Sequence, residues 1–504
     1  MLATTVAVAF ALVTTDRRRR AYAMLAAPAL AVVALASMAT TVDVPDAGPV
    51  VAAAAALGAV TVVAGAWIVH RRPTVLALAA IAALPFRVPV SFGDSAANLL
   101  LPLYAVIAAG TLSYVWRALR SDEEEPEREP LVRRLTWAFA AVLVLYGAQS
   151  VYSTDVEPAV KNACLFYVPF ALLFLLLRDA GWSRRLLRWS LKVTVALALV
   201  FAAIGCVEFA TGHLLITNAK VVEANDLLPY FRVNSLFFDP NIYGRYLALT
   251  MVLLAAVLLW TRRRRDVIAI AGSLALLWAG LLFSLSQSSF AALLLGLAVL
   301  AALRWKPWPV LAAVAAAGAV VLALVLLAPG AFNLETDNRA ALDRATSGRV
   351  DLIEGGLRMV RDRPIAGFGS GSYAERYRER ERVSSEKVAA ASHTIPLTVT
   401  AEQGVIGLAA YLALVALSFA LLFEGLRSRL ASAPWPGAGA VTRAGLAAAY
   451  SALVLHTLVY AAFLEDPLSW ALLAIAASVR ARPPGGEDEE SHAAPAGDLA
   501  LVRS

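Results

Sequence analysis

The run IYGRYLALTMVLLAAVLLW (242–260), followed at once by TRRRR (261–265), decides the fold. A helix needs about 20 mostly apolar residues to cross the ~30 Å hydrocarbon core of a bilayer. Arginines gathered just past its end mark the cytoplasmic side. The unit therefore reads as one spanning helix that ends in the cytoplasm, and the same unit recurs along the whole chain.

Apolar segments fall near 2–15, 22–42, 50–69, 74–90, 97–117, 132–151, 162–177 and 190–210, then 242–260, 266–283, 288–303, 309–328, 398–424, 443–463 and 467–479. The first and last are short, so the expectation is an all-α, polytopic membrane protein with about 13–15 transmembrane helices. Basic clusters lie at 17–20, 71–72, 117–134, 178–188, 262–265, 304–306, 427–429 and 480–482, on every second connection, as one face of a membrane requires. Assigning that face to the cytoplasm places the connections near 43–48, 91–95, 153–160, 211–241 and 329–397 outside. Residues 1–482 then form one integral membrane domain. Residues 329–397 form a large external loop subdomain within it. Residues 483–504, rich in Pro, Gly, Glu and Ala, form a disordered cytoplasmic tail. The N-terminus does not read as a typical cleavable signal, because its arginines follow the apolar run instead of preceding it.

Composition agrees. The 504 residues are 60% hydrophobic and 16% charged, against about 45–50% and about 25% in soluble domains. The net charge of +7 sits in the inter-helix clusters, so no nucleic-acid partner is expected. Cys164 and Cys206 lie in apolar runs and read as small packing residues. No spacing suits a metal, and no phosphate-binding glycine motif is present, so neither metal nor cofactor is expected.

The loop at 329–397 is too long to be structureless in a compact protein. Val350, Ile353, Leu357 and Val360 recur at helical spacing, which predicts an amphipathic helix able to rest on the membrane surface or on other helices. It should stop at Pro364. The glycine-rich 367–371 run reads as a hinge, and a charged helix follows near 373–390.

Several residues could carry chemistry. Arg232, flanked by Phe231, Val233, Leu236 and Phe237, reads as partly buried, and a buried arginine needs an anion. Its planar fork suits phosphate. Arg349 opens the amphipathic helix. Arg245 sits within the first turns of a span, where arginine is costly and tends to be functional. Asp239 and Asn241, around Pro240, suit a helix cap. Ser284, Ser286, Gln287, Ser288 and Ser289 form a polar patch that could be a tight turn or line a cavity. Glu465 and Asp466 read as a solvated external turn. His393 precedes Pro396, a residue favoured in a first helical turn, and a neutral imidazole there could act as general base. Gly404 and Gly407, three apart, allow another backbone to approach closely.

The ordered set of motifs resembles the O-antigen ligase and polymerase superfamily of bacterial lipid-linked glycan transferases. The carrying residues are Arg232 with Phe238-Asp239-Pro240-Asn241-Ile242-Tyr243-Gly244; Ser347-Gly348-Arg349 with Arg363-Pro364-Ile365-Ala366-Gly367-Phe368-Gly369; and His393 with Gly404-Val405-Ile406-Gly407. They cover roughly residues 200–425. The resemblance implies a GT-C-like membrane architecture and a metal-independent glycosyltransferase in the bacterial cytoplasmic (inner) membrane, with its active site on the external face. The donor it implies is a glycan on undecaprenyl diphosphate; the acceptor is a hydroxyl of a glycan, lipid or protein. It implies Arg232, Arg349 and His393 as catalytic residues. Arg232 and Arg349, with Arg245, Asn241, Asp239, Gly404 and Gly407, would contact substrate. Ligase and polymerase both remain open. A secondary transporter or lipid-linked glycan flippase is the alternative from another class; it predicts charge at mid-bilayer in broken helices. A peptidoglycan polymerase would need an acidic catalytic residue, which has no clear match. A purely structural membrane protein would not need the arginine–histidine set.

Overall fold

The computed structural model describes residues 1–39, 49–92, 95–120, 129–216, 219–227, 230–305, 307–310, 312–313, 315–316, 319–320, 349–381, 394–431, 436–460 and 463–480. Most of the chain is helical: α1 (Leu2–Val13), α2 (Arg17–Ala39), α3 (Pro49–Arg71), α4 (Thr74–Ala83), α5 (Leu101–Ala118), α6 (Pro130–Gln149), α7 (Val156–Asn162), α8 (Val168–Arg178), α9 (Arg184–Thr211) and α10 (Ala219–Leu227). There follow α11 (Pro240–Trp260), α12 (Arg264–Ser284), α13 (Gln287–Arg304), α14 (Arg349–Asp362), α15 (Tyr373–Glu381), α16 (Ile395–Phe423), α17 (Leu426–Ala431), α18 (Ala438–Val459) and α19 (Pro467–Arg480). Among the described residues nine helices are long and apolar enough to cross a membrane, and four shorter apolar helices join them. The protein is an all-α, multi-pass membrane protein.

One expected span is replaced. Residues 74–90 read as a single helix, but α4 ends at Ala83 and an antiparallel hairpin follows, β1 (Val88–Phe92) on β2 (Ser95–Leu99), with Val88 opposite Leu99 and Phe92 opposite Ser95. Pro85 cannot donate to the helix ladder, and the alternation of Val88, Val90 and Phe92 favours a strand. Most of the expected 309–328 helix, residues 321–348 and 382–393, and the tail 483–504 lie outside the described residues.

Helix α11 is the hub. About 72% of its apolar window is buried, against 28% for α9 and α12. It packs on α9, α12, α13 and α18. The arginine clusters gather at one end of the bundle; Arg20, one of their members, and Arg443 are structural. Arg20, buried, donates through Nε to Ala11 O at 3.1 Å, and Arg443 donates to Glu424 O at 2.9 Å. Each serves orphan carbonyls at a helix C-terminus, where positive charge also meets the dipole. The candidate site residues that the structure describes collect at the opposite end, termed the loop end here.

Helix α16 is not continuous. Gly404 has φ +66° and ψ −166° inside it, splitting a short leading helix (395–403) from the long span behind. Helix α14 ends at Asp362, two residues ahead of Pro364, as expected. Its buried residues are Leu352, Gly355, Gly356 and Met359, with Val360 partly buried against them. Tyr373, Tyr377 and Leu397 press on the glycines so closely that a Cβ at Gly355 would lie 2.3 Å from the Tyr377 ring. Ile353 and Leu357 instead stay exposed. Small residues define this interface.

Candidate functional site

Two long loops are tied to the loop end by buried carboxylates. In the first, Glu208 near the end of α9 accepts Leu215 N at 2.9 Å and Ser235 N at 2.7 Å. Ser235 has φ +51°. The segment between them is secured by side-chain amides. Asn225 bonds both the N–H and the carbonyl of Arg232 at 3.0 Å each, and Asn234 donates to Ile216 O at 3.2 Å. Val233 N reaches Phe283 O at 3.2 Å, and Arg232 Nε donates to Ser284 O at 3.2 Å. Arg232 is thus half-buried with its Nε fixed. Its two terminal nitrogens meet no acceptor among the described residues. That leaves two donors aimed by a fixed backbone, the form suited to a phosphate or carboxylate.

In the second, Glu402 beside the break in α16 accepts Gly371 N at 2.9 Å and Tyr373 N at 3.1 Å. Backbone bonds complete the joint: Phe368 N to Ala401 O at 3.2 Å, Gly369 N to Glu402 O at 2.8 Å, and Val405 N to Pro364 O at 2.8 Å. The 367–371 run is therefore not a hinge. A Cβ on Gly404 would lie 2.0 Å from Ile365 O, and one on Gly369 would lie 2.3 Å from Ser153 Cα. Positive φ at Gly367, Gly369, Gly371 and Gly404 is combined with backbone-to-backbone packing, which only glycine allows. Ser370 Oγ donates to Tyr146 O at 2.9 Å, Tyr152 OH to Ala366 O at 2.7 Å, and Gln149 Nε2 to Gln403 O at 3.1 Å, anchoring the loop to α6 and the turn after it.

Between the two loops lies a buried polar floor. Asp239 caps α11, accepting Asn241 N at 2.6 Å, and its other oxygen accepts the Tyr460 hydroxyl at 3.1 Å. Asn241 Oδ1 accepts Ser286 Oγ at 2.8 Å. Ser288 Oγ and Ser289 Oγ stand 3.2 and 3.4 Å from His456 Nε2. The serine patch is thus both the cap of α13 and part of this network. One turn on from Asn241, Arg245 pairs with Asp466 at 2.7 Å, both side chains almost fully buried. Nε and Nη1 of Arg245 meet no acceptor among the described residues, an uncommon state for buried donors. The expectation of a solvated Glu465–Asp466 turn is corrected: Asp466 is buried, and Glu465 accepts the Tyr167 hydroxyl at 3.3 Å. Burial pushes the Glu465 carboxyl above its usual range, opposed by the Tyr167 bond and by Arg87. Burial lowers the Arg87 guanidinium, with Asp466 acting the other way.

The structure brings Asp239, Asn241 and Arg245 into one network and joins Arg232 to it through Ser284 and Ser286. Gly404 and Gly407 belong to the α16 break on the far side of the floor, where the close backbone is that of Ile365 and Ala366; the nearest contact of a Cβ at Gly407 is Gln403 of its own helix. Arg349 opens α14, but its side chain lies outside the described residues. His393 lies outside them too, one position before Thr394, the N-cap of α16. Sequence reasoning missed Glu208, Glu402, His456 and Arg87. The signal was available for the first three, since each is an ionisable residue inside an apolar run.

Residues 272–412 match the family model described as O-antigen ligase. The matched stretch contains the serine turn, α14, the 364–373 loop and the first part of α16 with its break at Gly404. The match supports the resemblance to the O-antigen ligase and polymerase superfamily. Arg232, Asp239, Asn241 and Arg245 precede the matched stretch. No curated protein matches the sequence.

Proposed function

We propose that the protein transfers a glycan from undecaprenyl diphosphate to an acceptor hydroxyl at the external face of the bacterial inner membrane, as an O-antigen ligase or polymerase. The observation that carries this reading is Arg232. It is half-buried beside a span, fixed through Nε and its backbone, with two forked donors left over. In the reaction the bond between the sugar C1 and the diphosphate oxygen breaks, and undecaprenyl diphosphate leaves with the electron pair. The acceptor oxygen forms the new bond to C1 and gives up its proton. Charge grows on the leaving diphosphate, and donors fixed beforehand are the efficient way to stabilise it. Arg232 and Arg349 take that role. His393 accepts the proton as neutral imidazole. Arg245 supplies further positive potential through nitrogens that Asp466 does not occupy. Arginine is assigned the positive charge.

The test is transfer by purified protein in nanodiscs from a lipid-linked glycan. Arg232→Lys and Arg349→Lys keep charge but lose the fork, and each is expected to lose most activity. Near-wild-type transfer by both would refute forked diphosphate binding. His393→Ala should lower turnover about 10²–10⁴-fold with little change in donor binding. Wild-type activity should fall as pH drops through the histidine pKa, because imidazolium cannot accept a proton. A rise at low pH with weakened donor binding would instead make His393 a diphosphate ligand.

A flippase draws some support from the broken α16 and the buried Arg245–Asp466 pair, since discontinuous helices and buried ions mark transporters. Cells lacking a transferase accumulate lipid-linked glycan on the external leaflet; cells lacking a flippase accumulate it on the cytoplasmic leaflet.

A further inference from the structure

A cavity of about 450 Å³ lies away from the loop-end site, between α4, α9, α11, α18 and α19. Its walls are apolar, including Leu253, Val257, Leu446 and Ile475. Its mouth is at the arginine-rich end, beside Trp260, Arg184 and Arg188. No acidic residue lines it. Tyr246 and Trp260, both lining, are fourteen residues apart on α11, so the cavity follows about 21 Å of helix. Half a hydrocarbon core is about 15 Å, so the cavity can take an extended alkyl chain from the mouth past the bilayer centre. Trp260 immediately precedes Thr261 and the 262–265 arginines, which sets the mouth at headgroup depth.

We propose that this cavity is a binding site for an anionic glycerophospholipid of the leaflet at the arginine-rich end, with one acyl chain inside and the phosphate on Arg184 and Arg188. Charge complementarity selects this occupant. Both arginines are exposed at the mouth, and Arg188 spends only Nε, on Arg184 O at 3.3 Å, leaving its terminal nitrogens without an acceptor among the described residues. Basic pockets between spans on this side suit anionic headgroups. A zwitterionic lipid would offset the same phosphate with its own cation. Inside, Ser190 lines the wall with a buried hydroxyl that meets no partner among the described residues. The far end is lined by Tyr246 and Leu468, next to Arg245 and two residues beyond Asp466. A seated chain therefore braces α11 against α19 directly beneath the ion pair of the loop-end floor. This site is independent of the glycosyl-transfer reading.

The experiment is native mass spectrometry of the purified full-length protein, titrated with phosphatidylglycerol or with phosphatidylcholine of the same acyl chains. Phosphatidylglycerol is expected to be retained preferentially and to raise the melting temperature. Arg184→Gln/Arg188→Gln changes only exposed side chains and should weaken phosphatidylglycerol about 10- to 30-fold, leaving phosphatidylcholine unchanged. Ser190→Phe, which fills the cavity, should weaken both lipids; should it fail to fold, the arginine pair decides. Equal retention of the two lipids, or full phosphatidylglycerol binding by the double variant, overturns the proposal. One-for-one displacement of phosphatidylglycerol by undecaprenyl phosphate also overturns it, assigning the cavity to a polyprenyl chain.

Discussion

The two loops at the loop end use the same device in different company. Each is held by one glutamate near the end of a span, and each glutamate accepts two backbone N–H groups of the following loop or, at Glu402, of the preceding one. Around Glu402 the support is backbone on backbone, at glycines whose φ and space admit nothing else. Around Glu208 the support is Asn225 and Asn234, side chains that reach across a looser turn. A joint of fixed backbone resists any displacement. A joint of side-chain amides can be retuned residue by residue. The looser one carries Arg232, and the tighter one carries the break of α16 that leads back toward His393. Rigidity is invested where a helix must be interrupted inside a membrane, since a broken ladder there needs every backbone group met elsewhere.

The floor shared by both loops sets the largest expected effect. Asp466→Ala leaves the Arg245 guanidinium buried without its counter-charge, and breaking a buried pair from one side typically costs about 3–5 kcal/mol. Unfolding in mixed micelles should show that loss, and Arg245→Met/Asp466→Leu should recover much of it. Equal stability of Asp466→Ala and wild type would mean that the floor is hydrated and not a dry junction.

Next comes the tight joint itself. Gly404→Ala meets a left-handed φ, costing about 1–3 kcal/mol, and a carbonyl 2.0 Å from the new Cβ. Loss of about 3 kcal/mol or failure to accumulate is expected; a stable Gly404→Ala protein would mean that α16 can run straight. This joint also shows what a sequence reveals and what it hides. The end of α14 before Pro364 and the capping Asp239 follow from local rules, and both appear as expected. The 367–371 run does not, because its conformation is set by Glu402 and Ser153, some thirty and two hundred residues away. A glycine run reads as flexible until its partner is known. Asp466 was misread for the same reason: an acidic turn between two spans is solvated unless a distant arginine closes over it. The hairpin at 88–99 was missed because apolar strands and apolar spans look alike over short stretches. For Arg232, the flanking aromatics did indicate partial burial, since those neighbours are local.

Glu402→Gln separates charge from shape. The amide keeps the volume but offers an N–H₂ where the carboxylate accepts Gly371 N or Tyr373 N, so one buried donor is left unmet, at about 1–3 kcal/mol. Stability should fall by about 2 kcal/mol, with transfer activity per folded molecule little changed. Activity falling far more than stability would move Glu402 from joint to chemistry.

The same substitution at Glu208 sharpens the contrast by inverting the ratio. Leu215 is exposed, so water can replace the lost acceptor for its N–H, and the stability cost should be about 1 kcal/mol. The functional cost should be larger. Ser235 N is buried on Glu208 and lies three residues past Arg232; releasing it loosens the segment that aims the Arg232 fork. A misplacement of about 1 Å can cost about 10²-fold in rate, and the Asn225 and Ser284 bonds remain to limit the drift, so about 10-fold is expected. Glu208→Gln should lower kcat and weaken donor binding together, because the same fork holds the donor and its leaving group. Asn225→Ala, which loosens the other flank, should reproduce that pattern, and in combination with Glu208→Gln the losses should exceed the sum of the two, since each substitution removes the restraint that limits the other. Additive losses, or an unchanged kcat in both variants, would show that Arg232 is held by Ser284 alone and that the side-chain joint is merely structural.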